Sequence, residues 1–373
     1  MAAPAPARAI PARGTPARGT PTRGTQVRVR VALLGLGGAS LLAGLDAALV
    51  ALDVWAPVAA DHLPGVHGMV MVLGFLGTLI ALERAQALRR GWAYLAPGLL
   101  GSGGIALALG AHVLGQLLLI QGTAVLALVY LALWRRAPLP LVGVQALSTV
   151  PALVAATLWL RVDLAALIVL LACFLVLTIA AERAELAQLT LGARAVPRLV
   201  GFAMWLVAAA AASLVWPDAG ARGFGLGLVL TAAWLIRDDV PRRMIRTDGL
   251  RRYNAAALLA GYGWLLVAGL TWLIGGTPAS AGAYDVVIHA TFLGFGVSMV
   301  MAHAPIIFPA VLGRPLPYRA AFWLPLGLLH GGMLARVLGD VMGQGLVWQT
   351  GSVVTIIAVL VFAATAVTSV VRA

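Results

Sequence analysis

Lysine is missing from this chain, cysteine occurs once, and acidic residues number only 13 in 373. The lone Cys173 sits inside an apolar run, which excludes an internal disulfide and a cysteine-based metal cluster. Charged residues make up 10% and hydrophobic ones 61%, where a soluble domain has about a quarter charged and under half apolar. In water such a chain would expose large apolar patches, so lipid is its fitting solvent. The formal charge of +13 comes entirely from arginine. The arginines lie in short connections between apolar runs and not along one face, which argues against nucleic acid as a partner. With the Ala, Gly and Leu bias, arginine-only usage reads as genome composition.

Residues 1–30 hold three near-copies of a pentapeptide, Pro11 to Thr15, Pro16 to Thr20 and Pro21 to Thr25. This basic tract has no apolar face to bury and is expected to be a disordered tail on the cytoplasmic side. It lacks the apolar core and small-residue site of a cleaved signal peptide. Residues 31–373 are expected to form a single transmembrane domain. Apolar runs cover 31–54, 66–83, 93–113, 115–134, 139–160, 164–182, 199–216, 221–236, 254–275, 284–311, 320–338 and 346–370. Most have the length needed to cross a hydrocarbon core of about 30 Å. The third and fourth are divided only by His112 to Gln116. With the amino terminus inside, 23 of the 26 arginines fall on the inner side, leaving Arg161, Arg222 and Arg336 outside. An added or missed span in mid-chain would destroy that bias. The expectation is an all-α bundle of about twelve spans in a bacterial cytoplasmic membrane, both termini cytoplasmic.

One internal echo stands out. Ile80-Ala81-Leu82-Glu83-Arg84-Ala85 closes the second span and Ile179-Ala180-Ala181-Glu182-Arg183-Ala184 closes the sixth. Spacing by four spans points to three four-helix units, although so short a match also arises by chance at helix ends.

His67 opens the second span and His289 lies early in the tenth, at similar depth near the outer leaflet. An ionisable side chain at membrane depth is a functional candidate, and histidine is the commonest metal ligand. Two on parallel helices can ligate one metal from opposite sides. Gly74 and Gly296 each follow a histidine by seven residues, two α-helical turns, so each is expected on its histidine's face. There a glycine clears room for a flat ligand. The plainer alternative, helix packing, stays open.

His303, fourteen residues after His289, is expected on the same face roughly 21 Å further along. With His330 of the eleventh span it makes a candidate second metal pair, against the plainer reading of two hydrogen-bonded structural histidines. Prolines 305 and 309 follow and should kink the helix. His62 and His112 are expected at the outer surface. Arg336 is expected to pair with Asp340 or with cofactor carboxylates. Asp46 and Asp53, seven apart, are expected on one face, lining a polar path or pairing with Arg336. Met69, Met71, Met299, Met301 and Met333 lie near histidines and admit Cu(I), since thioethers suit soft copper; packing is the plainer role.

Twelve helices with histidines near the outer ends of the second and tenth resemble subunit I of the haem–copper oxidases. In detail the chain looks closer to the NnrS family of membrane haem proteins, associated with the bacterial response to nitric oxide. The residues that carry the likeness are His67-Gly68-Met69 with Gly74-Phe75, Gly261-Tyr262-Gly263-Trp264, His289 with Gly294, Gly313-Arg314-Pro315-Leu316, and Leu334-Ala335-Arg336-Val337. The matches are short and scattered over the helical core. The resemblance implies His67 and His289 as axial ligands of haem b, with Arg336 neutralising its propionates. It also implies a limit. The oxidases bind copper through histidines on the sixth and seventh helices, and residues 164–182 and 199–216 contain none. The expectation is therefore a haem protein without an oxidase copper centre, acting in nitric oxide response or respiratory redox physiology. Its partners would be the bilayer and nitric oxide or a redox protein. The alternatives are a twelve-span secondary transporter, with a site at the broken helix around Pro305 and Pro309, and a scaffold subunit without chemistry.

Overall fold

The computed structural model describes residues 23–186 and 194–372. Among them there is no strand, and eleven helices are long and apolar enough to cross a membrane. In chain order the helices are α1 (Arg23–Ala51), α2 (Leu63–Leu88), α3 (Leu95–Ala108), α4 (His112–Arg136), α5 (Pro140–Leu158) and α6 (Leu164–Leu186). They continue with α7 (Ala195–Ala212), α8 (Pro217–Asp238), α9 (Gly249–Gly275), α10 (281–312), α11 (Trp323–Met342) and α12 (Gly345–Val371). Each of the twelve apolar runs thus holds one helix.

Two boundaries differ from expectation. Residues 1–22 of the expected tail lie outside the described residues, but 23–30 already belong to α1, so the helix starts eight residues before the apolar run. The third run is expected over 93–113, yet α3 has only 14 residues, preceded by one 3-10 turn at Gly91–Tyr94. Fourteen residues span about 21 Å, short of the hydrocarbon core. Four glycines make α3 a close-packing helix. A Cβ on Gly104 would lie 3.0 Å from Gly74 Cα, and one on Gly101 would lie 2.7 Å from Leu36 Cβ. Small residues at such crossings let backbones approach, which is how helices associate where lipid is as apolar as leucine.

The packing repeats between the first two sets of four helices and in part in the third, where no comparable packing of α10 on α12 is seen among the described residues. α1 packs on α2 and α3, α2 on α3 and α4, and α3 on α4. α5 likewise packs on α6 and α7, α6 on α7 and α8, and α7 on α8. In the last quartet α9 packs on α10 and α11, α10 on α11, and α11 on α12. α4 joins α5 and α8 joins α9 between quartets. The second helix of each quartet is the inner one. In their most apolar stretches α2, α6 and α10 have 67%, 83% and 61% of residues buried, the three highest shares among the eleven long helices. They meet where a Cβ on Gly296 would lie 2.9 Å from Leu175 Cδ2 and 3.8 Å from Leu76 Cδ1.

Two inner helices are wound differently in the middle. Val70–Gly77 of α2 and Ala290–Val297 of α10 are π-helical, eight residues each. Leu73-Gly74-Phe75 and Leu293-Gly294-Phe295 fill the fourth to sixth positions of the two segments. π turns are uncommon and gather at functional sites, because the wider winding re-aims side chains relative to an α-helix.

Candidate functional site

His67 lies three residues before the first π segment and His289 immediately before the second. Both line one cavity of about 340 Å³, together with Met71 and Phe75 of α2, Asp285 of α10, Arg336 of α11 and Trp348 of α12. The other walls are mostly aliphatic, with Leu45 from α1, Leu52 just beyond its end, and Leu164, Ile168 and Leu171 from α6, beside Tyr284, Phe292 and Thr355. Few polar groups converging in an apolar hollow of this size is the usual form of a cofactor site.

Hydrogen bonds fix which nitrogen each imidazole presents. His67 Nδ1 is 2.8 Å from the carbonyl of Gly44 in α1. His289 Nδ1 is 3.0 Å from the Asp285 carbonyl and 3.1 Å from Asp285 Oδ1. These acceptors carry no hydrogen, so each Nδ1 is the donor. In a neutral ring Nε2 then holds a free lone pair. Neither Nε2 has a hydrogen-bond partner among the described residues, and neither is sealed from the cavity. A histidine whose second nitrogen donates to a carbonyl or carboxylate is prepared for a metal, with tautomer and ring orientation set in advance.

Asp285 organises one side of this hollow. It accepts Arg336 Nε at 2.6 Å on Oδ2 and Nη2 at 2.5 Å on Oδ1, and Trp348 Nε1 at 3.3 Å on Oδ2. The guanidinium also lies over the Trp348 ring, 5.5 Å from its centroid. Of the partners expected from sequence, Asp340 is not the one Arg336 takes: it pairs with Asp285, because α10 and α11 pack side by side. The sequence held a signal for Asp285: it precedes His289 by four residues, one helical turn.

The glycines correct another expectation. A Cβ on Gly74 would lie 2.9 Å from Gly104 Cα and 3.4 Å from Ser40, so Gly74 serves the packing of α2 on α3 and α1. Gly296 faces Leu175 and Leu76 at the centre of the bundle, and neither glycine lines the histidine cavity. Seven residues make about two turns only in an α-helix. Both intervals run into π segments, whose bonds reach i→i+5, so seven residues fall short of two turns. The same winding undermines the shared face of His289 and His303.

His303 and His330 belong to separate networks. His303 Nδ1 donates to the Met299 carbonyl at 2.7 Å, and its Nε2 accepts from Arg183 Nη1 at 3.3 Å. Arg183 also grips Asp239, with Nε–Oδ2 at 3.1 Å and Nη2–Oδ1 at 3.0 Å, while the Tyr262 hydroxyl donates to Asp239 Oδ2 at 2.6 Å. His330 Nδ1 accepts from Trp264 Nε1 at 2.9 Å, and its Nε2 meets Ser298 Oγ at 3.1 Å. With both nitrogens of each ring engaged, the second metal pair gives way to structural hydrogen bonding. Prolines 305 and 309 remain inside the helix.

Asp46 and Asp53 do not share a helix face. α1 ends at Ala51, Asp53 has a left-handed backbone (φ 53°), and Asp46 Oδ1 accepts the Val58 amide at 3.1 Å. His62 and His112 stack edge to face, centroids 5.5 Å apart, and His62 Nε2 donates to the Ala108 carbonyl. Of the methionines near histidines, Met71 lines the histidine cavity and Met299 a smaller one beside His303, whereas Met69, Met301 and Met333 are buried in packing. Among the described residues no group of three or more His, Cys, Asp or Glu side chains is placed to hold a metal ion.

No curated protein and no solved structure matches the chain. Residues 30–371 match the family model described as a domain of unknown function, DUF8744, and the chain belongs to that family.

Proposed function

We propose that the protein is a multi-pass membrane protein that binds haem b between His67 and His289. The observation that carries this reading is the pair of imidazoles on one cavity, each with Nδ1 donating and Nε2 left free. A haem bound there would supply one-electron chemistry at its iron, in nitric oxide response or respiratory redox physiology. The protein's own part is to orient the two rings, surround the hollow with aliphatic side chains and hold a neutralised ion pair at its edge. Asp285, Arg336 and Trp348 line the cavity together, so a charged group on the bound molecule would meet the Asp285–Arg336 pair.

The four-helix packing pattern, seen twice in full and once in part around the three most buried helices α2, α6 and α10, supports an arrangement like that of haem–copper oxidase subunit I. Repetition by three weighs against the two-part repeat of many secondary transporters. On this reading α3 is the twelfth span, crossing with help from its 3-10 turn and from local thinning of the bilayer. The arginine bias then assigns both termini to the cytoplasmic side of a bacterial inner membrane.

The test is an absorption spectrum of protein purified after expression with ample haem. A Soret band that sharpens and moves on reduction is expected, lost or displaced in His67→Ala and His289→Ala. Folded, colourless wild-type protein would remove the reading.

A further inference from the structure

His67 and His289 are restrained by different chemistry. His289 is tied into a network across three helices: its Nδ1 hydrogen-bonds the Asp285 carbonyl at 3.0 Å and also lies 3.1 Å from Asp285 Oδ1, and that carboxylate is gripped by Arg336 from α11 and Trp348 from α12. His67 has a single restraint, the neutral carbonyl of Gly44. It also stands only five residues into α2, just after the connection from α1, where a helix end is least constrained. A carboxylate acceptor polarises an imidazole N–H more than a carbonyl does, and so strengthens the electron donation of the opposite nitrogen.

We infer that Asp285 makes the two sides of the cavity unequal: His289 is the permanent, strongly donating ligand, and His67 is the one that gives way to a small exogenous ligand. This inference rests on haem binding at the two histidines. Leu45, Ala48, Leu52 and Met71 line the cavity together with His67 and give it apolar walls, which favour an uncharged ligand. Asp285 acts as a positioning residue, touching the donor nitrogen Nδ1 of His289 and not the ligand. Arg336 moderates it: the guanidinium neutralises part of the carboxylate charge that His289 would otherwise feel.

Opposite signs follow for the two members of the pair. Asp285→Asn removes the anion and should raise the reduction potential by the equivalent of a tenfold gain in the reduced form, about 59 mV for one electron. Arg336→Gln unmasks the anion and should lower it. Asp285→Asn with Arg336→Gln should fall between, and serves also if an unpaired charge keeps either single variant from folding. Separately, carbon monoxide added to the reduced protein should bind His67→Ala at least tenfold faster than wild type, because no side chain must leave first. Shifts of the same sign in the two single variants, an unchanged potential in pigmented Asp285→Asn, or equal carbon monoxide rates in His67→Ala and wild type would each overturn the inference. A wild-type protein without pigment would instead remove the haem reading beneath it.

Discussion

Arg336 and Asp285 form a two-pronged ion pair between α11 and α10, with contacts of 2.5 and 2.6 Å and an arginine side chain 9% exposed. Breaking such a pair leaves an uncompensated charge in a low-dielectric setting, at a cost of about 3–5 kcal/mol. Asp285→Ala and Arg336→Ala are each expected to lower the thermal stability of detergent-purified protein strongly. Asp285→Ala with Arg336→Met should recover much of the loss, since the charge is then removed with its partner. Additive losses in the double variant would show that the two residues do not act as a unit.

The Arg183–Asp239 pair plays a similar part near the other end of the central helices, joined by Tyr262 and His303. Tyr262→Phe removes a hydrogen bond to a charged, buried acceptor. A loss of about 1.5–3 kcal/mol is expected in unfolding measurements, with the histidine cavity unaffected because Tyr262 does not line it. A change in cofactor spectrum without a change in stability would contradict this assignment.

What could be read from sequence divides along one physical line. Length and apolarity of each run depend only on local composition, and all twelve runs do contain helices, Leu95–Ala108 being shorter than its run because glycine-rich packing replaces length. The shared site of His67, His289 and Arg336 also follows from depth along the helices, which sequence position tracks well. Facing does not follow. Whether Gly74 looks at the cavity or at Gly104 depends on the winding between Val70 and Gly77, and a seven-residue count presumes that winding. Pairing across helices is equally hidden: Asp285 stands one turn before His289, but only the packing of α10 on α11 makes it Arg336's partner.

The packing role of Gly74 has a direct test. A Cβ there would come within 2.9 Å of backbone on α3, which cannot rotate away as a side chain would. Gly74→Val is therefore expected to destabilise by about 1–3 kcal/mol or more through overpacking. At Gly296 the nearest atom is the tip of Leu175, so Gly296→Ala should be milder, and softer still in a Leu175→Ala background. Thermal unfolding of the four proteins separates the cases. Equal losses at both glycines would mean that neighbour flexibility does not decide the outcome.

Whether α3 crosses the bilayer can be settled with cysteine, because the chain's own Cys173 is fully buried in α6 and inert to bulky reagents. Arg90 precedes the 3-10 turn at the start of α3 and Ala111 follows its end, and both are exposed. If α3 spans, Arg90→Cys and Ala111→Cys must react with a membrane-impermeant maleimide from opposite faces. In intact cells with an inside amino terminus, only Ala111→Cys should label, and Arg90→Cys should label only after the membrane is opened. Labelling of both from one side would make α3 a re-entrant segment. The orientation of every later helix would then invert, and the 23-to-3 arginine bias drawn from twelve crossings would lose its meaning.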